Sequence, residues 1–178
     1  MKKISTVIIL VLTAGMAMAQ YKPIDKGSTL QFKIKNLGFD VGGTFTGFMG
    51  SINFDAQSPA NASFDVTIDA GTVNTDNSFR DSHLRDNSYF DVKKYPVIHF
   101  ISSKVSPAGK PGAYTISAKL TIKDVTRDIS FPFTATPLNS GYVFKGSFKI
   151  NRKDFGVGGT STISNELEVF LDVVTVKT

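Results

Sequence analysis

The chain has 178 residues, with 20 Lys and Arg against 15 Asp and Glu, 15 Phe, no Trp and no Cys. Without Cys there are no disulfides, thiolate metal sites or thiol nucleophiles, so the fold must hold through its core alone. The charge excess is small and spread along the chain, which leaves no electrostatic footprint for nucleic acid and permits only weak attraction to anionic surfaces.

Residues 1–19 read as a leader. Lys2 and Lys3 give a positive start, residues 7–12 are a continuous apolar run, and Ala17-Met18-Ala19 is a cleavage site of the A-x-A type. The run is too short to span a bilayer, and no Cys stands at the cut to carry a lipid anchor. The expectation is a periplasmic or secreted protein beginning at Gln20, with residues 20–178 forming a single domain. Loss of Lys2 and Lys3 lowers the net charge to +3.

From there on, apolar residues alternate with period two, the mark of half-buried strands. Leu30, Phe32 and Ile34 share one face; Phe64, Val66 and Ile68 repeat the pattern. Between them the parity breaks: Phe45 is odd, whereas Phe48, Gly50, Ile52 and Phe54 are even. A bulge or sharp bend near Thr46-Gly47 would restore both sets to one face.

Residues 75–100 interrupt this regime with a polar, helix-prone block. Ser78 followed by Asp81 resembles a capping box, predicting a short helix with Phe79 and His83 on one face and Arg80, Asp81, Arg85 and Asp86 turned mostly to water. A second turn over residues 91–95 should stop at Pro96. Such a block between strands suits a lid over a barrel, and residues 75–96 are its expected mobile part.

Alternation then resumes in Tyr114, Ile116, Ala118, Leu120 and Ile122, in Ile129, Phe131 and Phe133, in Tyr142, Phe144, Gly146, Phe148 and Ile150, and in Leu167, Val169, Leu171 and Val173. Pro132 lies inside a strand pattern, so its missing N–H should fall at an edge or bulge. Turn signals separate about eight strands in one antiparallel run, with no βαβ periodicity, internal repeat or low-complexity tract. The fold class is all-β.

The segments at residues 75–85 (TDNSFRDSHLR) and 89–102 (YFDVKKYPVIHFIS) resemble the YceI-like family of exported lipid-binding proteins. Residues 28–38 (STLQFKIKNLG), 43–55 (GTFTGFMGSINFD), 120–127 (LTIKDVTR) and 151–156 (NRKDFG) extend the resemblance over essentially the whole chain after the leader. It departs at Ala118 and Asp124, where glycines are expected. The resemblance implies a lipocalin-like, eight-stranded antiparallel β-barrel holding a polyisoprenoid or long acyl chain, and it brings no catalytic residues.

Eight strands is the size at which a barrel either fills itself or holds one small ligand. The inward faces mix Phe with Gly50, Ser102, Ala118 and Gly146, which predicts an elongated slot. Each buried methylene of a chain ligand contributes roughly 0.8 kcal/mol gross, so a sixteen-carbon tail gains about 10 kcal/mol before ordering costs. The candidate ligand-lining residues are Phe32, Ile34, Phe45, Phe48, Ile52, Phe64, Val66, Phe79, His83, Phe100, Ile116, Ala118, Leu120, Phe131, Phe133, Phe144 and Phe148. Arg80, Arg127 and Arg152 are the candidate rim for a phosphate, carboxylate or amide head group, Arg being suited to bidentate contact.

No cofactor is expected. His83 and His99 are isolated and make no zinc site. Ser82, His83 and Asp81 are neighbours in sequence, which is not how a triad assembles, and there is no G-x-S-x-G elbow. The glycines at residues 156–159 have neither Lys-Ser/Thr nor a helix after them, unlike a phosphate loop. The reading is therefore a non-enzymatic carrier. Its competitors are a structural or stress-protective barrel with a filled core that binds a protein partner, and a lipid-acting hydrolase. Strand edges and apolar residues near 97–105 also allow a homodimer.

Overall fold

The structure is a computed structural model that describes residues 19–160 and 162–178; the leader expected at residues 1–19 lies, but for Ala19, outside them. The alternating segments form β1 (Gln20–Asn36), β2 (Phe39–Phe45), β3 (Met49–Asn53), β4 (Ser63–Asp69), β5 (Val97–Pro107), β6 (Ala113–Ile122), β7 (Val125–Leu138), β8 (Gly141–Asn151) and β9 (Ile163–Lys177). All pairings are antiparallel between successive neighbours, and β1 closes the sheet against β9. One flank of β1 pairs with β3 at Gln20 and Tyr21 and with β2 along residues 30–36. The arms β2 and β3 are thus one bent stave, and the wall is a closed eight-stranded barrel.

The bend lies where the parity break placed it. Gly47 takes φ +78°, and a Cβ there would meet the Asp69 Cβ at 2.8 Å, so both conformation and space demand glycine. The Asp25 carboxylate accepts from the Gly47 and Phe48 amides at 2.9 and 3.0 Å. Asp25 itself belongs to a bulge in β1, where the register against β9 jumps between Ile24 and Thr29. Two irregularities in adjacent staves are thereby pinned to each other by one charged acceptor, the stronger class of hydrogen bond.

Pro132 marks a second break. The β7–β8 ladder runs from Leu138 opposite Gly141 to Phe133 opposite Gly146 and stops there. Beyond it, residues 125–132 pair with β6 and residues 147–151 with β9. The 3₁₀ turn at Arg152–Phe155 fills the resulting wedge, with Phe155 and Val157 buried against Leu120 and Ile122. Asp124 brings no strain to the two-residue β6–β7 turn, because the positive φ there falls on Lys123.

One end of the barrel is solid. Phe54, 1% exposed, meets Phe64, Tyr114, Tyr142 and Phe144 edge-on at centroid distances of 5.1 to 6.2 Å. Phe133, Tyr21, Ile52, Val105, Ile116, Phe131 and Ala135 complete the cluster. The slot expected from the inward faces is therefore confined to the other end. The small residues do not make space either: Gly50 is exposed and lets β3 and β4 approach, since a Cβ would strike the Asp65 carbonyl. The room at Gly146 is taken by the Phe131 ring, 3.2 Å from where a Cβ would be.

Rings embedded on all sides should cost far more to remove than rings with one side open. Phe54→Ala is expected to destabilise the fold by about 3–5 kcal/mol, and Phe32→Ala, half-buried in the other half of the barrel, by less. Urea unfolding midpoints check this, and equal losses would show that the two ends are packed alike.

Candidate functional site

Above the aromatic base the barrel is hollow. The cavity there has a volume of about 260 Å³. Its polar lining is confined to Gln31, Asn36, Thr67, Thr75, Arg80, Arg152 and the hydroxyl of Tyr89; everything else is aliphatic or aromatic. The hollow arises because inward residues of β1 and β9 in this half, such as Leu30, Ile34, Leu167 and Val169, are half-buried and do not reach across to the opposite wall.

Of the residues singled out from sequence, Phe32, Ile34, Phe45, Phe48, Ile52, Phe64, Val66, Phe100, Ile116, Leu120, Phe131, Phe133, Phe144 and Phe148 line the cavity. Phe64, Phe133 and Phe144 do so as its floor, because they also belong to the aromatic base. Ala118 faces inward but is 1% exposed and lies outside the lining, its short side chain covered by its neighbours. Phe79 and His83 share a face as expected, with ring centroids 4.3 Å apart, but that face is outward: Phe79 is 73% exposed. Arg127 is exposed and bonds the neighbouring Thr126 carbonyl, away from the cavity.

Sequence reasoning missed two groups. Leu30, Leu167, Val169, Leu171 and Val173 line the cavity and carry the same alternation as the Phe residues, so parity alone could have found them. Leu84 comes from the short helix over Ser78–Arg85, and Tyr89, Phe90 and Val157 come from irregular segments, where no period identifies an inward face.

The lid helix α1 (Ser78–Arg85) is capped by Asn77, whose side chain accepts from the Arg80 amide at 3.0 Å. The Ser78 to Asp81 capping box is not what forms. Asp81 is 6% exposed and reaches back beyond the cap, accepting from the Thr75 amide at 2.9 Å and from the Thr75 hydroxyl. Arg80 donates from Nε and Nη2 to the Thr75 hydroxyl and carbonyl, both at 2.7 Å. Arg85 donates to the carbonyls of Gly71 and Val73. The charged residues expected to face water, Asp86 apart, instead satisfy the backbone of the segment beneath them, which pairs with a strand only at the Thr44–Asn74 bridge.

Arg152 does the same work on the opposite side. It is 5% exposed and donates to the carbonyls of Ser164, Val157 and Ile163, tying the 3₁₀ turn to the start of β9. Arg80 and Arg152 therefore present guanidinium edges at the cavity wall while serving as brackets for irregular backbone. A buried donor or acceptor left without its partner costs about 1–3 kcal/mol. Asp81→Ala is accordingly expected to raise amide hydrogen exchange over residues 73–85 and leave β6 to β9 protected, as read by mass spectrometry. Unchanged exchange in the lid would show that Asp81 does not hold it.

The YceI-like domain family matches residues 21–175. A UPF0312 protein of Yersinia enterocolitica is 33% identical over 94% of this chain and 92% of its own length. Another UPF0312 protein, from Yersinia pestis, is 33% identical over 92% and 90%. Among solved structures, Burkholderia cenocepacia BcnA superposes with a TM-score of 0.78 and 26% identity, covering 83% of this chain and 96% of that one. The Campylobacter jejuni YCEI protein does so with a TM-score of 0.67 and 29% identity, over 76% and 84%. A polyisoprenoid binding domain from Saccharophagus degradans shares the fold at a TM-score of 0.71 with 16% identity, over 91% and 100%.

Proposed function

The chain belongs to the YceI-like family, and from that premise we propose that it binds and carries one long-chain apolar molecule of polyisoprenoid or fatty-acyl type. The observation that carries this reading is the hollow half of the barrel, walled by hydrocarbon and left open beside a densely packed floor. Such a site binds by desolvation: every methylene taken from water is worth roughly 0.8 kcal/mol gross. The volume lies just under the usual lower bound of small-molecule pockets, about 300 Å³, which suits a single flexible chain.

The description of the Saccharophagus degradans neighbour as a polyisoprenoid binding domain supports the isoprenoid side of this reading. The reading includes no catalysis: Arg80 and Arg152 at the cavity wall are engaged in holding backbone, and the Thr75 hydroxyl, bonded to the Asp81 carboxylate and to Arg80 Nε, serves the lid. The leader read from residues 1–19 supports export to the periplasm or beyond, and the family match begins at residue 21, just after the expected cut.

Organic extraction of the purified protein, followed by mass spectrometry, should release a long-chain lipid in near-stoichiometric amount. Ile116, which lines the cavity and is 2% exposed, offers the second check. Ile116→Trp should keep the β circular dichroism spectrum while lowering retention of that lipid by about tenfold or more, the equivalent of ~1.4 kcal/mol. Full retention in a folded Ile116→Trp protein would move the binding site elsewhere.

A further inference from the structure

The barrel wall has a gap that the closed topology does not require. Among the described residues, β2 pairs on one edge with β1, and its other edge meets the rest of the chain at a single bridge, Thr44 with Asn74. Between that bridge and the β1–β2 hairpin tip lies a polar groove. One side of it is formed by residues 40–44, the other by Asn74, Thr75, Asp76 and Arg80, with Gln31 between them. Gln31, Val41, Thr75 and Arg80 line both this outer groove and the inner cavity, so the two are separated by one layer of side chains.

The lips of the gap are unlike the rest of the wall. Apolar side chains stand in water on both sides, Leu37 and Phe39 on the hairpin and Phe79 on the lid helix. At the other break, beside Pro132, Phe155 is 2% exposed and fills the wedge. Here the wall is Gly42 and Gly43: a Cβ on Gly42 would meet nothing closer than 3.6 Å, while the inner side of Gly43 is covered by the tip of the Phe32 ring and the Thr75 methyl, 2.5 and 2.8 Å from where its Cβ would be. Arg80 uses Nε and Nη2 on Thr75. Its Nη1 has no partner among the described residues and is free to donate to an oxygen in the groove.

We propose that the ligand enters and leaves sideways through this gap, and that its oxygen-bearing end stays in the groove beside Arg80 while the chain lies in the cavity. This rests on the chain-binding reading and adds the route and the ligand's polarity along it. The Thr44–Asn74 bridge, with two backbone hydrogen bonds of 2.8 and 3.0 Å, is then the latch on the lid side.

The chain has no Cys, so one can be introduced and modified after folding. Gly42→Cys places a thiol in the groove, and Asp124→Cys places one at the β6–β7 turn on the axial end. Each variant is treated with benzyl methanethiosulfonate, and uptake of cis-parinaric acid is followed by stopped-flow fluorescence before and after reductant. The groove adduct should slow both uptake and release by about tenfold, an added barrier of ~1.4 kcal/mol, with recovery in reductant and no change for the axial adduct. Slowing by the axial adduct alone, or equal rates in both, overturns the side route and leaves the cavity reading standing. No uptake by the unmodified protein overturns both.

Orientation is read separately. A bimane on Phe79→Cys, at the lip, should be quenched more by stearate carrying a nitroxide at carbon 5 than at carbon 16. The reverse order would place the polar end away from the groove and overturn that half of the proposal.

Discussion

A barrel that keeps one half hollow gives up packing there, and the other half must supply the stability. Phe54 and the rings around it do this. Edge-to-face aromatic contacts add about 0.5–1.5 kcal/mol per pair to the burial of the rings themselves, and Phe54 makes four of them. The cluster draws on β1, β3, β4, β5, β6, β7 and β8 together with the segment after β3, so it ties most of the staves at one end. The wall above can then stand open without collapsing inward.

The same division governs the polar groups. Strand backbone satisfies itself through the ladders, but the lid and the loop before β9 have no ladder. Arg80, Arg85, Asp81 and Arg152 stand in for one, each bonding backbone or hydroxyl groups of irregular chain. Placing the guanidinium groups of Arg80 and Arg152 at the wall of an apolar cavity is costly unless their hydrogen bonds are made. The bonds to carbonyls keep the cationic groups fixed at the rim, where they close the site without filling it.

Openings in the wall follow from the strand irregularities. The bend at Gly47 splits one stave into β2 and β3 and leaves an edge of β2 nearly free; Pro132 splits β7 from β8 over half its length. One gap is filled by the buried Phe155, whereas the other keeps an open polar groove outside Gly42 and Gly43, with the half-buried Phe32 ring and Thr75 behind them. That difference makes one a structural joint and the other the candidate route to the interior.

Strand faces were legible because alternation is a local signal, and the break between Phe45 and Phe48 even located the bend. The family resemblance and the barrel class rested on the same local features. The outward turn of Phe79 and His83, and the burial of Asp81, were not legible: an eight-residue helix shows which residues share a face, not which face meets the protein. Nor could composition show that Gly146 is filled by Phe131 while the space opens beside Leu30 and Val169. By itself the sequence determined which residues alternate, where the strands bend and that no disulfide or thiol chemistry operates. Only the tertiary structure decided which end of the barrel is solid, because filling depends on how side chains from distant staves meet across the axis, and no spacing along the chain encodes that distance.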